Sequence, residues 1–200
     1  MKRILWVLVL SIGISSCSST HIEQSWRDPA VTVDVSQLNK VLVVALLKDE
    51  ANRRATEDEL SAMLRGKGVP SYTYLTKNIT QDKEESIRAQ VKDQGFDGVI
   101  IMRLAAVDKN VQYVPGTYPI YYGRFWGYYW NAWNAFYDPG YYRTTRTYRV
   151  ETNVYSLTRD KLIWSGITAT VDPSGVNKLM KSSAKAVYNE MKKQGFITGL

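Results

Sequence analysis

The chain has 200 residues, 44% hydrophobic and 22% charged, which fits one globular domain and excludes both a mostly disordered chain and a multi-domain machine. It holds one cysteine and one histidine, Cys17 and His21, so a disulfide framework, a Cys/His zinc site and a Cys–His nucleophile pair are excluded and no metal site is expected. The formal charge is +7; without Lys2 and Arg3, which lie in a removable leader, +5 remains, too modest to point to a nucleic-acid partner.

Met1-Lys2-Arg3 gives a positive start, and residues 4–14 hold nine apolar side chains in eleven, the pattern of a signal peptide. A membrane-spanning helix needs roughly 20 apolar residues, and the polar run 15–20 stops this stretch short. The stretch ends Ile14-Ser15-Ser16-Cys17: an aliphatic residue, two small residues and a cysteine. It resembles the lipobox of bacterial lipoproteins. That resemblance implies cleavage between Ser16 and Cys17 and thioether attachment of a diacylglyceryl lipid to Cys17, with further acylation, so the lipid bilayer is a partner and no other cofactor is expected. Two or more acyl chains hold a protein stably on a membrane, each buried CH₂ contributing roughly 0.8 kcal/mol. Ser18, rather than Asp, follows the anchor, which resembles the sorting pattern for the outer membrane, facing the periplasm.

Residues 17–39 read as a polar tether with Trp26-Arg27-Asp28-Pro29 in its middle, ending in an edge strand at 31–35. Residues 40–200 read as a single α/β domain. Within it, 41–47 is a Val-rich central strand covered on both faces. A helix over 51–67 places Ala55, Leu60, Met63 and Leu64 inward, with Thr56 and Glu59 as a capping box and Gly66 or Gly68 as its stop. A short strand at 70–75, a helix over 81–94 with Ile87 and Val91 inward, and a buried strand at 99–104 complete a β-α-β-α-β half. Residues 148–157 and 162–171 form an antiparallel pair, with Tyr148, Val150 and Val154 on one face and Ile163, Ile167, Ala169 and Val171 on another. Asp172 caps and Pro173 opens a last helix, whose buried stripe is Val176, Leu179, Met180, Val187 and Met191. Gln94-Gly95-Phe96 recurs as Gln194-Gly195-Phe196, two similar helix stops in which glycine takes the left-handed turn and Phe packs back. The fold class is therefore α/β (α+β): a mixed sheet, an antiparallel β-β pair, a C-terminal helix and an aromatic-rich insertion at 111–142.

The lipobox, the Trp-Arg-Asp-Pro segment, the β-α-β-α-β half and Lys161-Leu162-Ile163-Trp164-Ser165-Gly166 before the last helix together resemble an uncharacterised family of periplasmic lipoproteins. The first half is also similar, more loosely, to the α/β domains of envelope assembly proteins such as the amino-terminal domain of TolB and the curli secretion lipoprotein. Neither resemblance carries catalytic residues, and a fold likeness transfers no function.

Between Tyr113 and Tyr142 lie nine Tyr, three Trp and two Phe, with Pro115, Pro119, Pro139 and four glycines that argue for a hairpin or loop rather than one helix. The candidate contact residues are Tyr121, Tyr122, Arg124, Trp126, Tyr129, Trp130 and Trp133. Rings with polar tips offer large contact area with few torsions to freeze, which suits an envelope protein partner first and a glycan or peptidoglycan strand second. Packing of the arm on its own domain is the bland alternative.

Residues 141–200 carry ten basic and four acidic side chains. The lysines on the last helix, Lys178, Lys181, Lys185, Lys192 and Lys193, read as a solvated face. Arg143 and Arg149 share one strand face and Arg146 the other. No phosphate or dinucleotide loop occurs. His21 reads as a tether residue, Glu57, Asp58 and Glu59 as a helix start, and carboxylate pairs such as Asp97 with Asp108 could in principle meet for hydrolysis, though two acids in a small domain are commonplace. The expectation is thus no enzyme but a lipid-anchored envelope protein with a binding or assembly role. A peptidoglycan-binding module is the alternative and a carboxylate-based hydrolase a distant third.

Overall fold

The computed structural model describes residues 20–75, 84–116 and 140–199. Its strands are β1 (Thr20–Arg27), β2 (Val33–Asp34), β3 (Lys40–Leu46), β4 (Gly68–Pro70), β5 (Phe96–Val114), β6 (Tyr141–Ser156), β7 (Lys161–Val171) and β8 (Ile197–Thr198). Its helices are α1 (Glu50–Met63), α2 (Glu84–Asp93) and α3 (Val176–Lys193), with 3₁₀ turns at Val35–Gln37 and Ser71–Thr73. Six strands form one mixed sheet in the order β1-β7-β6-β5-β3-β4; β3 runs parallel to β4 and β5, and the remaining neighbours are antiparallel. β2 and β8 make a small parallel pair.

The alternation of β3 explains the layering. Val43 and Ala45 pack with Leu60 of α1, Met102 of β5, Val150 of β6 and Leu179 and Met180 of α3, while Leu42 on the opposite face packs with Val91 of α2 and Phe96. So α1 and α3 cover one face and α2 the other, as right-handed crossovers on either side of β3 require. A third cluster of Val31, Ile163, Trp164, Val187, Met191 and Phe196 closes the far end of α3. Both Gln-Gly-Phe stops behave as expected. Gly95 and Gly195 take φ of +74° and +64°, Phe96 and Phe196 are buried, and Phe196 N–H donates to Met191 O at 2.9 Å, which satisfies a carbonyl the helix end leaves open.

Several local readings change. Residues 20–27 are not tether but the edge strand β1, antiparallel to β7, and the alternating stretch 31–35 contributes only the two residues of β2 before a 3₁₀ turn. His21 therefore sits in a strand, opposite Ala169. Helix α1 begins at Asp49, whose carboxylate accepts from Asn52 N–H, so Thr56 and Glu59 lie inside the helix instead of capping it. Its buried face is Arg53, Thr56, Glu57, Leu60 and Ser61, whereas Met63 is exposed. The expected strand 70–75 ends at Pro70 and becomes a 3₁₀ turn. α3 starts at Val176, beyond Asp172-Pro173, with Gly175 as an N-cap lacking a side-chain bond. Val176 is exposed, but Leu179, Met180, Val187 and Met191 are buried as expected.

On β7 burial is not confined to the alternation of Ile163, Ile167, Ala169 and Val171: Ile163 packs with Val187 and Met191 of α3, and residues of the other alternation are buried as well. Trp164, Thr168 and Thr170 are fully buried, and Thr168 Oγ1 bonds Ser183 Oγ at 2.9 Å. The indole of Trp164 donates to Gln194 Oε1 at 3.1 Å, and Gln194 donates on to Ser25 of β1 at 2.8 Å, tying the edge strand to the last helix.

Candidate functional site

The most unusual element is the pair β5–β6. β3 accompanies β5 only as far as Arg103, and β7 accompanies β6 only from Thr147, yet β5 and β6 stay in register out to Val114↔Tyr141. The pairs from Lys109↔Arg146 to Val114↔Tyr141 therefore form a two-stranded ribbon projecting about 20 Å past the sheet at the usual rise per residue. A bulge between Leu104 and Ala106 marks its base, the device that bends and re-aims a strand. One face carries Val107, Lys109, Val111 and Tyr113 opposite Tyr148, Arg146, Thr144 and Tyr142. Val107, Val111, Tyr113 and Tyr142 are all exposed, and the rings of Tyr113 and Tyr142 meet at 5.2 Å between centroids. The ribbon thus carries an exposed aromatic pair near its end.

The candidate contact residues Tyr121, Tyr122, Arg124, Trp126, Tyr129, Trp130 and Trp133 lie outside the described residues, as do Ser16 and Cys17. The described chain nevertheless fixes where their segment is attached. It leaves at Gly116 and returns at Gly140, both beyond the last rung of the ribbon.

The open face of the sheet bears a charge network. Arg149 of β6 reaches across Ala169 of β7 to grip Glu23 of β1 with two bonds, at 2.6 and 3.0 Å, and also bonds Asp108 of β5. Only a side chain as small as Ala169, which this span buries completely, leaves room for it. The guanidinium bond holds the Glu23 carboxyl below its ordinary value, and the two acids raise the pKa of Arg149. Glu23 is depressed in the folded state, so its contribution to stability is complete above about pH 4.5 and is lost as pH falls through its lower folded value. We expect Glu23→Gln to flatten the acid limb of the urea midpoint measured from neutrality to about pH 3, leaving the neutral midpoint only slightly lower because the pair is partly exposed.

Asp97 and Asp108 do not form a catalytic pair. They stand on one strand, eleven residues and roughly 37 Å apart, and Asp97 is engaged with the backbone N–H groups of Asn39 and Lys40. Glu57 and Arg53, by contrast, are buried together. Glu57 accepts from Ala45 N (3.0 Å), Arg53 Nε (3.1 Å), Ser71 Oγ (2.8 Å) and Tyr72 N (2.9 Å), and Arg53 donates to Ser71 Oγ and to Leu75 O. Four donors on two oxygens occupy this carboxylate fully, so the cluster is a brace between α1, β3 and the 3₁₀ turn rather than an acid–base centre. The lysines of α3 are exposed; Lys181 pairs with Glu59 at 2.5 Å and Lys193 with Glu190 at 3.7 Å. Among the described residues no group of three or more His, Cys, Asp or Glu could hold a metal, and no helix is long and apolar enough to cross a membrane.

Sequence reasoning missed one feature altogether. A cavity of ≈ 660 Å³ lies between the sheet and helices α1 and α3, beneath residues 31–38. Its walls include Val31, Leu60, Met102, Val154, Val187 and Phe196, contributed by six separate parts of the chain. No motif could announce it, because its apolar wall residues read as ordinary core.

These features define a mixed α/β domain with a projecting β-ribbon and a largely apolar cavity that opens to solvent. Among solved structures it is similar to the PelC dodecamer from Paraburkholderia phytofirmans, at 12% identity over 84% of this chain and 95% of that one, with a TM-score of 0.42. It is also similar to lipoprotein GNA1162 from Neisseria meningitidis, at 11% identity over 77% and 98% with a TM-score of 0.38. No protein-family model matches the chain, and no curated protein matches it.

Proposed function

We propose that this protein is a lipid-anchored cell-envelope protein with a non-catalytic binding or assembly role, held at the periplasmic face of the outer membrane through Cys17, its aromatic arm contacting a protein partner. The observation that carries the reading is the ribbon. A hairpin that leaves its sheet, exposes Tyr113 and Tyr142 and carries eleven more aromatics between Gly116 and Gly140 at its far end spends folding free energy on presenting aromatic surface. Tyr and Trp are the side chains that concentrate interface energy, and they do so best on a rigid support. The lipobox supports the location.

The test is a photo-crosslinking side chain at Tyr129 in the full chain, in cells. A discrete protein adduct that disappears when Trp126, Trp130 and Trp133 are all replaced by alanine supports the reading. Loss of binding to purified peptidoglycan in the same variant, with no protein adduct at any stage, transfers the role to a glycan. Unchanged behaviour in both assays overturns a contact role for the arm.

A further inference from the structure

We propose that the cavity between the sheet and helices α1 and α3 is a binding site for a single acyl chain with an anionic head, as in a fatty acid or a one-chain lipid. Its ≈ 660 Å³ falls in the range of about 300–1,000 Å³ typical of sites for small organic ligands and far exceeds the voids of a close-packed interior. Val31, Val154, Val187 and Phe196 give it hydrocarbon walls.

Two polar features set the chemistry. Thr152 on β6 is fully buried, lines the cavity, and its Oγ1 has no hydrogen-bond partner among the described residues. A buried hydroxyl left unpaired is costly, and one acceptor in an otherwise apolar space satisfies it. A carbonyl or carboxylate oxygen at the end of a hydrocarbon chain is such an acceptor.

Arg65 and Arg159, both exposed, line the cavity where it meets solvent, and neither guanidinium makes a hydrogen bond or ion pair among the described residues, though Arg159 also acts on Asp28, which Lys161 already holds. The acids nearby are engaged: Asp34 accepts from Ser36 N at 2.9 Å and Asp97 from Lys40 N at 3.2 Å. The free hydrogen-bond donors at the rim are thus guanidinium N–H groups, which suit a head that accepts hydrogen bonds, such as a carboxylate or a phosphate. This site is independent of the aromatic arm and of its partner.

The experiment uses the full chain held in an amphipathic polymer instead of detergent, labelled with photoactivatable palmitic acid and mapped by peptide mass spectrometry. Adducts are expected on residues 152–156 and 184–191. Competition by unlabelled palmitate or by lysophosphatidylglycerol, whichever acts at the lower concentration, names the source of the chain. Ala184→Trp, which fills the cavity, should cut adduct yield about tenfold. Thr152→Val should weaken retention about threefold while leaving the melting temperature of the ligand-free protein unchanged or higher, because the hydroxyl it removes has no partner to lose. Adducts confined to other regions, or full labelling in Thr152→Val and Ala184→Trp alike, overturn the proposal.

Discussion

Replacing Glu57 with alanine is expected to remove about 3–5 kcal/mol of folding stability, the cost of breaking a buried ion pair and stranding its partner. Glu57 is completely buried, and its loss leaves the Arg53 guanidinium, the Ser71 hydroxyl and the amides of Ala45 and Tyr72 without their shared acceptor. A domain of this size has only about 5–15 kcal/mol in total, so the variant should unfold at a much lower denaturant concentration. Glu57→Gln keeps the shape and one acceptor oxygen but leaves Arg53 with only the more distant Glu50, at 3.6 Å, as counter-charge, so its midpoint should fall between wild type and Glu57→Ala. Denaturant unfolding with unchanged slope checks both. Equal midpoints for wild type and Glu57→Ala would show that the brace contributes nothing.

The second large effect concerns the anchor. Cys17→Ser should abolish incorporation of an alkyne fatty acid entirely, since a hydroxyl cannot replace the thiol as acceptor of the diacylglyceryl group. Two or more acyl chains separate stable from marginal membrane attachment, so a mature domain exported behind an ordinary cleaved leader should fractionate as soluble. Mass spectrometry of the wild-type amino terminus should find acylated Cys17. A wild-type protein that takes up no label and fractionates as soluble would remove the basis for placing it on a lipid surface.

Much of the architecture was legible because it follows from apolar runs bounded by turn residues. The β-α-β-α-β half, the α2 contacts of Ile87 and Val91, the α3 stripe and the two Gln-Gly-Phe stops all arise from local patterns that the tertiary structure leaves in force. Two of the readings that failed, on α1 and on β7, share one cause: polar side chains buried against one another. On α1, Leu60 and Leu64 face the core as their spacing implies, but Arg53, Thr56, Glu57 and Ser61 join them in place of Ala55 and Met63; the one hint was the i,i+4 spacing of Arg53 and Glu57. On β7, Thr168 is buried because Ser183 waits on α3 to bond it, which alternation of Ile and Val cannot reveal. The ribbon was hidden because Val, Thr and Tyr at 109–114 and 141–146 look like any strand, and only pairing register shows that, among the described residues, no third strand follows them. The candidate arm residues and Cys17 rest on composition and motif alone.

The start of β1 changes how the molecule meets a bilayer. A leash running to residue 39 would let the body roam some 70 Å from its anchor, but Thr20 is already hydrogen-bonded into the sheet. Three peptide units from Cys17 to Thr20 span at most about 11 Å. With Cys17 acylated, the Thr20 end of β1 would be held within about 11 Å of the anchor, so the sheet would meet the bilayer at that corner rather than hang from a leash.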